Sequence, residues 1–147
     1  MAKVLELKSL TFVRHAYAVS AADFYGSDHD RPLSPKGVEA AKLLARELSA
    51  SVPPPDVVLV SDAVRALETL KHLKDLIGEE TEVKEIKELY DCSAGQLYNI
   101  ILENQKERGH MLIVGHNPAV SQLYSMLSGE YTALAPAQSR TLILEES

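Results

Sequence analysis

The chain has 147 residues, 46% hydrophobic and 24% charged, with 7 Gly and 7 Pro, which describes one ordinary domain and excludes a long disordered or fibrous tract. Fifteen Lys plus Arg against 21 Asp plus Glu leave a formal net charge of -6, which argues against broad binding to nucleic acid or an anionic membrane but allows a small basic pocket. Cys92 alone excludes an intramolecular disulfide and a cysteine-based zinc site, and the segment Met1 to Lys8 has neither a signal-peptide core nor a spanning run, so a single cytoplasmic domain over 1–147 is expected.

In chain order, Leu10 to Val13 reads as a strand, with Arg14 and His15 directly after it. After a loop with Gly26 and Pro32, Ser34-Pro35 predicts a capped helix whose apolar face is Val38, Ala41, Leu44, Ala45 and Leu48. The Pro53-Pro54-Pro55 turn stops it. Val57 to Val60 is a continuous apolar run suited to a buried parallel strand. Ser61-Asp62 then open a helix with Leu67, Leu70, Leu73, the stem of Lys74 and Ile77 facing inward and Gly78 at its end. Val83 to Ile86 alternates with Glu and Lys, as a strand near the sheet edge does. Ser93 and Gln96 form a capping-box pattern before Leu97, Ile100 and Ile101, and Arg108-Gly109 closes that helix. Met111 to Val114 is the next buried strand, Asn117-Pro118 cap a helix bearing Val120, Leu123 and Leu127, and Thr141 to Leu144 is the last strand. Strands alternating with helices at this spacing imply a three-layer α/β/α sandwich around a mainly parallel sheet, joined by right-handed crossovers.

In an open α/β sheet, ligands bind outside the carboxyl ends of the strands. The residues just past each strand are Arg14-His15, then Ser61 and Arg65, then Glu88, then His116-Asn117. Two arginines, two histidines, a carboxylate and several helix N-termini converge on one edge. That composition describes a phosphate pocket, because arginine offers a fixed fork of donors and helix N-termini add unsatisfied N–H groups.

At these residues the sequence resembles the histidine phosphatase superfamily. Val13-Arg14-His15-Ala16 resembles its Arg-His-Gly signature, and Arg31-Pro32-Leu33-Ser34-Pro35-Lys36-Gly37 its second motif. Ser61 to Thr69 is similar to the third and Val114-Gly115-His116-Asn117-Pro118 to the fourth, in the family's order. The short length and Glu88-Leu89-Tyr90 resemble the phosphohistidine phosphatase branch of SixA type. The resemblance implies a phosphoglycerate mutase-like fold without large cap insertions, an open shallow pocket, and catalysis without cofactor or metal. It also implies that His15 takes the phosphoryl group and water then removes it. His15 must then be neutral, with one ring nitrogen free and the other donating a hydrogen bond, and nearby Arg14 and Arg65 disfavour its protonation. Arg14, Arg65, His116 and Asn117 are the expected phosphate-binding residues, with Arg31 and Ser61 as pocket support. Glu88 is the candidate proton donor, with Glu85 and Asp91 close by in sequence.

Ala16 replaces the signature's usual glycine, and Ala18 and Ala21 stand where larger relatives carry polar substrate contacts. The expected substrate is therefore a phosphohistidine on a signalling protein. The alternatives are a phosphorylated metabolite or sugar, or a non-catalytic phospho-ligand module, with the oligomeric state left open. A phosphoacceptor domain of similar size and layering is also conceivable, but its chemistry needs clustered carboxylates and a metal at the strand ends, where this chain has Arg and His. Arg31 fits either a salt bridge or a phosphate contact, and Ser61 also fits a helix cap. His29 with Asp23, Asp28 and Asp30 has metal-ligand chemistry, but a flexible acidic loop is the preferred reading. His72 and His110 read as structural or solvent-facing, and Cys92 as an inert small residue.

Overall fold

The computed structural model describes residues 3–145; Met1 and Ala2 of the N-terminal stretch and the last two residues of the 1–147 domain lie outside the described residues. Five strands form one sheet, β1 (Ser9–Arg14), β2 (Val57–Ser61), β3 (Glu82–Ile86), β4 (His110–Gly115) and β5 (Ser139–Ile143), in the order β3-β2-β4-β1-β5. β1, β2, β3 and β4 pair in parallel, and only β5 runs antiparallel, beside β1. Every residue of β2 is buried, whereas β3 at the edge keeps Glu82, Val83 and Glu85 exposed, so its alternation is that of a half-covered strand.

Four helices complete the layers: α1 (Pro35–Ser51), α2 (Val64–Lys71), α3 (Ala94–Asn104) and α4 (Ala119–Ser128). Side-chain alternation along the strands sorts the core into two halves. Leu10, Phe12, Val57, Leu59, Met111 and Ile113 pack with Leu97 and Ile101 of α3 and Val120 and Leu123 of α4. Their neighbours Val13, Val58, Val60, Leu112 and Val114 point the other way, onto Leu44 and Leu48 of α1 and Ala66 and Leu70 of α2. The sandwich expected from the alternating pattern is thus the observed one.

Local chemistry sets the helix starts. Ser34 Oγ accepts from the Gly37 N–H at 3.1 Å with Pro35 opening α1, and Ser93 and Gln96 close the full capping box of α3. Gly37 is required on steric grounds, since a Cβ there would lie 1.9 Å from the Tyr17 carbonyl oxygen. The boundaries differ from expectation elsewhere. α2 ends at Lys71, not at Gly78, and a 3₁₀ turn at Lys74–Leu76 follows, which buries Leu73 and Leu76 but turns Lys74 to solvent. α3 stops at Asn104, ahead of Arg108, which has φ 61°. Asn117 does not cap α4; Pro118 holds the N-cap position, and Gly129 at φ 77° ends the helix.

Candidate active site

The carboxyl ends of β1, β2 and β4 deliver the polar groups. Arg14 is the last residue of β1, and the next residue, His15, donates its backbone N–H to Gly115 O of β4 at 3.0 Å. Ser61 ends β2, Arg65 lies in the first turn of α2, and His116 follows β4. Arg14, His15, Asp28, Arg31, Arg65, Tyr90, Asp91, His116 and Asn117 line one cavity of about 440 Å³.

His15 is 9% exposed, and its Nδ1 lies 2.7 Å from the Ala16 carbonyl oxygen. A carbonyl only accepts, so Nδ1 carries the hydrogen and Nε2 keeps its lone pair, 3.4 Å from Arg65 Nε. Burial is the main cause that lowers the His15 pKa to about 4; the Ala16 bond opposes it, and Arg65, Arg14 and Arg31 add to it. The expected help from Arg14 and Arg65 is therefore real but secondary. The next residue, Ala16, is fully buried against Leu33 and Ala41, and its N–H donates to Thr69 Oγ1 at 2.9 Å, which fixes the backbone beside His15.

His116 packs against His15 with ring centroids 5.0 Å apart. Its Nε2 lies 2.8 Å from Ser61 Oγ, which also accepts from the Ala63 N–H at 3.2 Å. Ser61 therefore both braces His116 and secures the chain entering α2. Burial, then His15 and Arg65, push the His116 pKa down to about 3. At neutral pH both rings are uncharged, and the positive charge resides on the arginines.

Arg14 reaches the Leu134 carbonyl through one terminal nitrogen at 3.1 Å, and its buried Nε has no hydrogen-bond partner. A buried guanidinium nitrogen in the cavity wall that finds no partner among the described residues fits an oxyanion acceptor. Asn117 lines the cavity, but its side chain donates to Leu134 O at 2.9 Å and accepts from Ser121 Oγ at 2.6 Å. It is an anchor of the pocket wall, and its expected phosphate contact is not supported by this geometry.

Glu88 requires a correction. It is exposed on the 3₁₀ turn Lys87–Leu89 and lines a neighbouring cavity with Asn99 and Glu103, outside the cavity of His15. On this turn Leu89 is the residue buried in the core, and Tyr90 at the turn's end, not Glu88, lines the cavity of His15. Asp91, also weighed as a proton donor, lines both cavities.

Two site residues escaped the sequence reading. Asp28 Oδ1 accepts from Arg31 Nε and a terminal nitrogen at 2.9 and 2.7 Å, and Oδ2 accepts from Arg65 at 3.0 Å and from the Tyr90 hydroxyl at 2.5 Å. These donors, led by Tyr90 and Arg31, hold the Asp28 carboxyl far below the usual carboxylate range. The available signal was the three-residue spacing of Asp28 and Arg31 across a tight turn. Tyr90 stands edge-on to His116, with centroids 5.5 Å apart, and to His29 at 4.8 Å. Arg31 does brace the pocket, through Asp28 and the Val19 carbonyl.

The acidic segment is dispersed among partners. Asp23 accepts from Ser20, and His29 sits between Asp62 at 2.8 Å and Asp30 at 3.6 Å, which raise its pKa. Among the described residues no three His, Cys, Asp or Glu side chains gather as a metal cage. Cys92 packs against the core, and burial raises its thiol pKa. His110 Nδ1 lies 2.7 Å from Ser9 Oγ. No helix among the described residues is long and apolar enough to cross a membrane.

A doubly covered, mainly parallel sheet carries an Arg-His pair, a second arginine and a second histidine at its carboxyl edge. Residues 10–110 match the model of the histidine phosphatase superfamily (branch 1), and the chain belongs to that family. It is 35% identical over 102 residues to an uncharacterised protein of Mycobacterium tuberculosis (strain H37Rv), covering 69% of this chain and 62% of that protein. The aligned chain thus spans about three fifths of that relative's length. Phosphohistidine phosphatase SixA of Escherichia coli (strain K12) is 29% identical over 117 residues, 78% of this chain and 71% of that protein. The structure of a putative SixA from Nakamurella multipartitia superposes with a TM-score of 0.76 at 26% identity, covering 91% and 83% of the two chains. A putative alpha-ribazole-5'-P phosphatase of Escherichia coli shares the fold, with a TM-score of 0.70 at 18% identity and coverage of 90% and 89%.

Proposed function

We propose that the protein is a cytoplasmic phosphatase that carries a phosphoryl group on His15 and releases it to water, with a phosphohistidine on a signalling protein as its substrate. The observation that carries this reading is the neutral His15 ring, whose Nδ1–H is given to Ala16 and whose unprotonated Nε2 accepts only a long contact of 3.4 Å from Arg65 Nε. In the first step the Nε2 lone pair forms the N–P bond as the bond from phosphorus to the substrate's nitrogen breaks. The departing imidazole takes up a proton, for which Asp91 at the cavity rim is the candidate donor in place of Glu88. Water then attacks phosphorus and passes a proton back to Asp91, the N–P electron pair returns to Nε2, and phosphate leaves. Arg14, Arg65 and His116 stabilise the charge on the equatorial oxygens throughout, and the scheme calls on no metal or cofactor.

The substrate class rests on three supports. The first is the likeness to SixA of Escherichia coli. The second is the absence of Ala18 and Ala21 from the cavity wall, so that neither position offers a polar grip on a small metabolite. The third is chemical, since an imidazole leaving group is readily protonated and tolerates a weak or distant acid such as Asp91. The test compares kcat/KM for a phosphohistidine-bearing domain with that for a panel of phosphate monoesters, together with trapping of label on His15. Higher efficiency on the domain and an alkali-stable, His15-dependent label are expected. Higher efficiency on a small monoester would move the substrate to the metabolite class, and binding without label or turnover would leave a phospho-ligand module.

A further inference from the structure

We propose that Asp28 is an intramolecular anion that occupies two arginines of the pocket, Arg31 and Arg65, and has to give up Arg65 when an oxyanion binds. The inference rests on the reading of the pocket as a phosphoryl site. Arg31 gives Nε and one terminal nitrogen to the single oxygen Oδ1 of Asp28, at 2.9 and 2.7 Å, so the fork edge that could grip an oxyanion is taken. Arg65 gives one terminal nitrogen to Asp28 Oδ2 at 3.0 Å and the other to the Asp28 backbone carbonyl at 2.7 Å. Both terminal nitrogens of Arg65 are therefore engaged by one acidic residue of the chain itself, and only its Nε faces His15.

A phosphoryl group transferred to His15 Nε2 must lie against Arg65, since that nitrogen and Arg65 Nε are 3.4 Å apart. A dianion there and a carboxylate on the same guanidinium repel one another strongly in a partly dry pocket. Asp28 is also the partner able to move. Its side chain is 50% exposed, whereas that of Arg65 is 8% exposed, and it belongs to a segment, 18–30, whose only helical pieces are two three-residue 3₁₀ turns. The Tyr90 hydroxyl, which donates to Asp28 at 2.5 Å, is released in the same movement and becomes a free donor at the cavity wall.

The consequence is competitive. A built-in anion lowers the affinity of every oxyanion by one common factor. Inorganic phosphate, the product, is the ligand with the least else to hold it, so it is expelled, while a substrate with contacts outside the pocket still binds.

Calorimetric titration of tungstate and of inorganic phosphate into wild type, Asp28→Ala and Asp28→Asn tests this. Both variants are expected to bind each oxyanion at least roughly tenfold more tightly than wild type. Limited chymotrypsin digestion supplies a second readout on the unaltered protein, because Tyr25 in the same segment is fully exposed. Saturating tungstate should speed cleavage at Phe24 and Tyr25 in wild type, and Asp28→Ala should be cut quickly with or without it. Equal or weaker oxyanion binding by folded variants, or protection of the segment by tungstate in wild type, would overturn the proposal. Binding of neither oxyanion by any of the proteins would instead overturn the reading of the pocket, and this inference with it.

Discussion

The His15 ring is controlled by a hydrogen bond to its own neighbour's carbonyl and by burial, and both have measurable consequences at single residues. With its pKa lowered to about 4, the ring stays deprotonated well below the ordinary imidazole range, as the proposed nucleophile must. The acid limb of kcat/KM attributable to His15 should therefore fall near pH 4, and a limb near pH 6.5 would contradict the buried, neutral ring. His15→Ala should abolish turnover while circular dichroism stays unchanged, because no neighbouring side chain can take the phosphoryl group in its place. Arg14→Ala and Arg65→Ala remove donors to charge that develops in the transition state, so each should lower kcat by about 10²- to 10³-fold. Asp91→Asn should slow a phosphate monoester far more than a phosphohistidine, since an alkoxide needs the proton more than an imidazole does. Equal damage to both would remove Asp91 from the proton transfer.

Two devices at the level of elements separate stability from chemistry. A methyl group at position 37 would run into the Tyr17 carbonyl, to which the Ser34 N–H also donates at 2.9 Å. Gly37→Ala must push α1 away from the segment that follows His15, at a cost of about 1–3 kcal/mol in chemical denaturation and with a loss of activity. Ser93→Ala breaks the capping box of α3 and should cost about 1 kcal/mol with kcat unchanged, as the box lies outside the catalytic cavity. The same elements show what a sequence can disclose. The caps at Ser34 and Ser93 were legible because their bonding is local. The early end of α2 was not, because a 3₁₀ turn lets Leu73 and Leu76 reach the core by a spacing that a longer helix would also offer. Arg14, His15, Arg65 and His116 could be placed from strand ends alone. Asp28 could not, since its role depends on partners 3, 37 and 62 residues away that only the folded loop brings together.

Across the whole molecule, burying two neutral histidines at a sheet edge ties folding to pH. The unfolded chain protonates both rings near pH 6.5, whereas in the fold His15 waits until about 4 and His116 until about 3. Between those values the unfolded state binds more protons, so stability falls as pH drops from 6.5 toward 4, with His15 alone contributing up to about 3 kcal/mol. His29 opposes this, since Asp62 raises its pKa and its added stability is present at low pH and lost as pH rises through that raised value. The urea midpoint should be lower at pH 5 than at pH 7.5 in wild type, and the difference should shrink in His116→Gln. The Leu134 carbonyl, shared by Arg14 and Asn117, also sets an order on how the protein comes into being. His15 and Arg14 are made together, yet the acceptor that seats the arginine is laid down 120 residues after it. Every motif residue is in place by Pro118, and still a nascent chain halted at Glu130 would hold Arg14 without its anchor. Competence therefore requires synthesis to pass Leu134, so that translation products that carry the whole signature but stop short of it should neither capture nor release phosphate.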